Sequence, residues 1–264
     1  MRIHVVDAFT DRPFAGNPAA VCVLTGPADP VWMQRVAMEM NLSETAFPRP
    51  IDSPEADFEL RWFTPKVEVA LCGHATLGSA HVLHETGAVP ADRPIRFQTL
   101  RSGVLTVRRE GGLFAMDFPA CPPEKADAPE GLAGALGASP VWTGRNTQND
   151  VLAVLEDAET VRSVTPDLAA LGRIDVRGIC VTAAGSSHDF VSRFFAPRVD
   201  VPEDPVTGSA HCMLAPFWAE RLGRTEMVGY QASARGGEVR VSARGDRVIL
   251  MGGAVTVLDG TLRA

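Results

Sequence analysis

The chain alternates short apolar and polar runs, with few stretches of helical period. "IHVVDAF" (3–9) and "AAVCVL" (19–24) predict strands joined by the turn "DRPFAGNP". "DPVWMQRVAMEM" (29–40) predicts an amphipathic helix. Trp32, Met33, Val36, Ala37 and Met40 share a face, Asp29 suits the N-cap, and Pro30 fits the first helical position. "FELRWFTP" (58–65) alternates like a strand. A helix is predicted over 73–87, stopped by Gly87 and then Pro90. Strands follow in "IRFQTL", "GVLTVRRE" and "LFAMDFP". Residues 119–140, rich in Pro, Ala and Gly, interrupt the pattern and mark a boundary. They divide the chain into lobes of 1–118 and 119–264, with a final strand returning to the first lobe. Beyond the boundary come "DVLAVL", a short helix near 166–171, "IDVRGICVTA", "DFVSRFFAP", a helix over 206–222 and four closing strands.

The two lobes repeat a phrase. "RWFTPKVEVALCGHATLGSAH" (61–81) is echoed by "RFFAPRVDVPEDPVTGSAH" (193–211). Arg61/Arg193, Phe63/Phe195, Pro65/Pro197, Val67/Val199 and Val69/Val201 match at a constant spacing of 132 residues. The basic pair Lys66/Arg198 and the acidic pair Glu68/Asp200 keep that spacing, and Cys72 falls opposite Asp204. After a shortening of two residues, Gly78-Ser79-Ala80-His81 matches Gly208-Ser209-Ala210-His211. An echo running through strand, turn and helix implies two pseudo-symmetric lobes. Both helices are apolar on nearly every side, so each is expected to be buried all round within a curved antiparallel sheet. Pro216 is expected to kink or tighten the second helix.

Each helix start is also a place for an anion, because free N–H groups and the helix dipole point outward there. Gly73-His74-Ala75-Thr76 and Pro205-Val206-Thr207-Gly208-Ser209 are therefore candidate binding turns, expected to converge on one cleft. Plainer roles fit the same residues. Asp204 before Pro205 reads as an N-cap with proline at the first helical position. Ser209 can pack in the first turn, and His74 can be a satisfied loop histidine. Cys72 reads as a nucleophile, a base or a small buried hydrophobe. His81 and His84 lie one turn apart but lack a third ligand, so no metal is expected. Glu44, in "NLSETAFPRP", sits among apolar neighbours. It reads as a proton shuttle of raised pKa or as an exposed turn glutamate.

Composition narrows the classes. The 264 residues carry 45% hydrophobic and 22% charged side chains, a balance usual for a globular protein. A formal charge of -7 without a basic run gives no footprint for nucleic acid. No apolar run is long enough to span a bilayer, and "MRIHVVDAF" lacks the apolar core of a signal peptide. Five cysteines without a C-x-x-C pair read as reduced thiols in a cytoplasm.

Taken together, "DAFTDRPFAGNPAAVCVL", "NLSETAF", "RWFTPKVEVALCGHATLGSAH", "EDPVTGSAHC" and "ARGGEV" resemble the phenazine-biosynthesis PhzF-like family, in the family's order and along the whole chain. That family lies within the diaminopimelate-epimerase-like superfamily. The resemblance implies an α+β fold of two lobes, each a β-barrel-like sheet around a central helix, with the active site between them. It implies a homodimer and cofactor-independent isomerisation of a small carboxylate by proton transfer. By this resemblance Glu44 is the catalytic acid/base. His74, Asp204 and Ser209 contact the substrate, and Gly73 and Gly208 offer backbone amides to its carboxylate. Related epimerases carry a cysteine in each duplicated turn, whereas here Asp204 replaces the second. That departure favours one carboxylate working on one face. An epimerase using Cys72 and a non-catalytic metabolite-binding protein on the same fold remain the alternatives.

Overall fold

A computed structural model of the chain describes residues 1–263. The chain forms two compact units, Met1–Asp117 with the stretch from Met251 onward, and Phe118–Leu250.

The first unit begins with β1 (Arg2–Ala8), β2 (Asn17–Val21), α1 (Pro30–Met40), β3 (Glu44–Pro50) and β4 (Phe58–Phe63). It continues through β5 (Glu68–Val69), α2 (Gly73–Glu85), β6 (Ile95–Gln98) and β7 (Val104–Glu110). β8 (Leu113–Pro119) carries the chain into the second unit. That unit holds β9 (Glu124–Lys125), α3 (Leu132–Leu136), β10 (Trp142–Arg145), β11 (Asp150–Val154), α4 (Ala158–Ser163) and α5 (Leu168–Arg173). Next are β12 (Gly178–Ala184), β13 (Phe190–Ala196), a 3-10 turn (Pro197–Val199), β14 (Val201–Asp204) and α6 (Gly208–Leu222). β15 (Glu226–Gln231), β16 (Gly237–Arg244) and β17 (Arg247–Gly252) follow, and β18 (Ala254–Thr261) pairs antiparallel with β1.

The echo in sequence is an echo in topology. In the first unit β2 runs parallel to β3, β3 antiparallel to β4, β4 antiparallel to β5 and parallel to β6, and β6 antiparallel to β7. In the second, β11, β12, β13, β14, β15 and β16 repeat that series step for step. The pairing is thus more mixed than an antiparallel reading allows, because each short strand before a central helix is followed by a crossover back to a parallel neighbour. The matched arginines do matched work. Arg61 grips Glu68 through Nε at 2.6 Å and Nη2 at 2.8 Å and lies over Phe63. Arg193 grips Glu203 at 2.7 and 3.0 Å and lies over Phe195. The acidic partner is Glu203, not Asp200 as the constant spacing suggests. The 3-10 turn places Asp200 at its left-handed end, φ 63°, and hands the pairing to the following strand.

The central helices are buried as their composition requires. α2 packs on β1, β2, β3 and β18, burying residues from His74 through Ala80. α6 packs on β15 and β16, with Trp218 donating to Thr182 Oγ1 at 3.1 Å. It runs unbroken through Pro216. Proline leaves the Cys212 carbonyl without its helical donor, and the Cys121 amide donates to that oxygen at 3.0 Å. α1 starts as expected, with Asp29 accepting from the Val31 amide at 3.0 Å. Its face of Met33, Val36 and Ala37 packs with Phe47 and Phe63. The Pro- and Ala-rich boundary contains α3, and α4 was not evident in the sequence. Both cover the second core, around Leu132, Leu136, Val161 and Leu171.

Candidate active site

In the first unit the turn before α2 and the start of β3 bring three reactive side chains together. Cys72 is the N-cap of α2, extended at φ −146° and without a side-chain cap bond. Its carbonyl instead accepts from the Thr76 hydroxyl at 2.6 Å and the Thr76 amide at 3.2 Å, which fixes the first turn. Gly73 opens the helix, where amides lack carbonyl partners by geometry. His74 follows, with its ring turned inward. Its Nε2 lies 3.1 Å from Glu44 Oε2, and its Nδ1 lies 3.5 Å from Cys72 Sγ. Glu44 is the first residue of β3, registered beside Ala19 of β2. Its side chain is 19% exposed and that of His74 is 7% exposed. Glu44 is therefore partly buried, neither an open turn residue nor a sealed one.

The electrostatics follow from this crowding. Burial pushes the Cys72 thiol up to about 11, and the nearby Glu44 carboxylate adds to the rise. Burial opposes charge on His74, but its acidic neighbours Cys72 and Glu44 outweigh that and hold its pKa well above the ordinary histidine value. His81 and His84 are engaged elsewhere in the unit, with Thr256 Oγ1 at 3.0 Å and the Val89 carbonyl at 3.3 Å.

In the second unit Asp204 ends β14 and α6 begins at Gly208, so Asp204 is not the helix cap. The cap position belongs to Thr207. Asp204 Oδ2 accepts from the Thr207 hydroxyl at 2.7 Å. Buried Gln231 completes the turn, accepting from the Thr207 amide at 2.8 Å and donating to the Asp204 carbonyl at 2.6 Å. Gly208 and Ser209 lie in the first helical turn, where backbone amides lack carbonyl partners. Ser209 Oγ accepts from Arg177 Nη2 at 3.2 Å. A guanidinium only donates, so the serine hydroxyl keeps its own hydrogen to give. Arg177 is anchored by an ion pair to Asp150, which has no exposed side-chain surface. Neither Arg177 nor Gln231 stood out in the sequence. Each comes from a separate strand or loop, and the only available signal was a polar residue within an apolar run.

Known proteins place this fold. The α+β architecture is epimerase-like: a hydroxyproline epimerase from Agrobacterium vitis shares it at TM-score 0.64 and 11% identity, covering 98% of this chain and 91% of that one. The family is defined by a closer match. Residues 6–260 match the family model described as "Phenazine biosynthesis-like protein" (PhzC-PhzF), and the chain belongs to that family. A PhzF-family protein of Enterococcus faecalis has TM-score 0.92 at 41% identity, covering 98% of this chain and 97% of that one. An uncharacterised isomerase of Halalkalibacterium halodurans is 49% identical over 263 residues, covering 98% of this chain and 97% of its own. Among the described residues no helix is long and apolar enough to cross a membrane.

Proposed function

We propose that the protein is a cofactor-independent isomerase that moves a proton on a small carboxylate-bearing metabolite, with Glu44 as the acid/base. The observation that carries this reading is the Glu44–His74 pair at 3.1 Å, partly buried at a helix start. A general base must lie within hydrogen-bond reach of the proton it takes, in surroundings that keep it ionised until it acts. His74, whose pKa is held well above the ordinary histidine value, supplies positive charge for the enolate-like intermediate left by proton removal. Glu44 then returns the proton at a second carbon. Gly73, Asp204, Gly208 and Ser209 hold the substrate, with Ser209 donating to an anionic oxygen. The names of relatives as isomerases support the class. Cytoplasmic location, drawn from the five cysteines without a C-x-x-C pair, and homodimeric assembly, drawn from family resemblance, belong to the same reading.

An epimerase using Cys72 is the second reading, and it draws on the 3.5 Å thiol–imidazole contact. It is disfavoured because the thiol is held protonated, up to about 11, and Asp204 stands where a second thiol would be. The test is a panel of small carboxylates incubated with enzyme in D2O and followed by proton NMR. The isomerase reading expects solvent deuterium in a product of shifted double bond. Deuterium at an inverted centre of an otherwise unchanged substrate indicates the epimerase. No exchange with any compound supports a metabolite-binding protein.

A further inference from the structure

We propose that Arg177 is a further substrate-binding residue, which with Ser209 and the first amides of α6 forms a subsite for a carboxylate of the substrate. The inference deepens the proposed function and rests on its assignment of Ser209 to the substrate. The duplication points to the position. In the first unit β3 runs parallel to β2, and its first residue, Glu44, reaches His74, the second residue of α2. In the second unit β12 runs parallel to β11 in the same way. Arg177, the residue before the start of β12 at Gly178, reaches Ser209, the second residue of α6. One copy of the frame thus carries a carboxylate–imidazole pair and the other a guanidinium–hydroxyl pair. The first suits proton transfer. The second suits holding an anion, because both of its members can donate to one.

The surroundings fix the guanidinium without using it up. The Arg177 amide donates to the Asn149 carbonyl at 2.8 Å. Gly178 lets the Phe194 ring come close, since a Cβ there would stand 2.2 Å from its Cζ. The guanidinium carbon lies 5.7 Å from the centroid of that ring. Nη2 donates to Asp150 Oδ2, and to Gln148 Oε1 at 3.2 Å. Asp150 is held in turn by Asn146, whose Oδ1 accepts from the Asp150 amide at 2.9 Å and whose Nδ2 donates to Oδ2 at 3.3 Å. Every hydrogen bond of the guanidinium, the one to Ser209 included, uses Nη2. Nε is buried without a partner, and Nη1 makes no hydrogen bond among the described residues, while the side chain is 38% exposed. Idle donors on a fixed cation call for an acceptor. A carboxylate between Nη1 and the Ser209 hydroxyl would take one bond from each. The start of α6 adds the Gly208 and Ser209 amides and the positive end of a 15-residue helix. Asp150 opposes the anion as a neighbouring negative charge. Its side chain has no exposed surface and is tied to Nη2, so it tethers the cation and leaves Nη1 open.

The test is a titration of the isotope-labelled full-length protein with acetate at constant ionic strength, followed by two-dimensional NMR. The wild type should show saturable shifts of the Gly208 and Ser209 amide signals and of the Arg177 Nε–H signal. Losing a charge-assisted hydrogen bond should make Arg177→Gln weaken acetate binding about 10–100-fold. That variant leaves Asp150 as a lone buried charge. If it fails to fold, the double variant Arg177→Gln with Asp150→Asn carries the test, because both charges are then gone. A guanidinium that serves only to neutralise Asp150 predicts full acetate binding in the double variant. The subsite predicts the same loss as in the single variant. Arg177→Lys should keep the fold and recover part of the affinity, since an ammonium lacks the planar fork. Absence of saturable shifts in the wild type, or wild-type affinity in the double variant, overturns the subsite. With the substrate found in the D2O panel, the double variant should raise KM far more than it lowers kcat. Arg177-dependent acetate binding without proton exchange on any carboxylate would sink the proposed reaction and leave the subsite standing. Proton exchange with an unchanged KM in the double variant would do the reverse.

Discussion

His74 Nε2 stands 3.1 Å from Glu44 Oε2, one residue from the first turn of α2 and the other from the first position of β3. They lie thirty positions apart in the chain. What joins them is the packing of an all-round apolar helix onto β2 and β3, which leaves the helix start level with the strand start. The pair is therefore a product of the core, and substitutions in that core should reach it.

The Cys72 thiol, pushed up to about 11 by burial and by Glu44, is expected to resist alkylation at neutral pH. Iodoacetamide labelling of the native protein followed by peptide mass mapping checks this. Modification of Cys72 should become appreciable only as the pH approaches the raised value. Rapid labelling at pH 7 would show that the thiolate is populated and would revive the thiol epimerase.

Stability should depend on pH through His211. Its Nδ1 faces the Thr207 carbonyl at 2.8 Å, and burial lowers its pKa to about 4. Between pH 6.5 and 4 the unfolded chain therefore binds a proton that the folded chain refuses. Stability falls as pH drops through that window, by roughly 3 kcal/mol in all. Urea denaturation across it should show that slope, and His211→Gln should flatten it. His74 acts with the opposite sign. Its raised folded value adds stability below the unfolded pKa, and that stability is lost as pH rises through the folded value.

Gly16 holds φ +64° in the turn between β1 and β2, and a Cβ there would sit 2.1 Å from the Ala8 carbonyl oxygen. The left-handed conformation alone costs a larger residue about 1–3 kcal/mol, and the clash adds to it. Gly16→Ala should lower the thermal midpoint, whereas Gly87→Ala, equally left-handed but in open space, should cost less. Equal losses at the two positions would contradict the close approach.

Much of this was legible in the sequence because the duplication wrote it twice. Phe63 and Phe195, Arg61 and Arg193, and the two Gly-Ser-Ala-His runs fix the lobes, the buried helices and the turns before them. Glu44 was readable only with the family's motif beside it, since a lone glutamate after a helix has no period. What stayed hidden depends on local geometry. Asp204 reads as a cap from its Pro205 neighbour, but the helix starts later and Thr207 takes that place, held by Gln231. Arg193 pairs with Glu203 because a 3-10 turn shifts the register. Arg177 reaches Ser209 across a distance in sequence that no spacing rule records.

A direct comparison of Glu44→Gln with Cys72→Ala tests whether Glu44 moves the proton. General acid–base catalysis contributes about 10²–10⁴-fold, equivalent to roughly 2.7–5.5 kcal/mol of barrier. With the substrate found in the D2O panel, Glu44→Gln should keep its circular dichroism and its ligand binding. It should lose that factor in kcat, with little change in KM. Cys72→Ala should retain most of the turnover. An inactive Cys72→Ala beside an active Glu44→Gln would contradict the account and assign the reaction to the thiol.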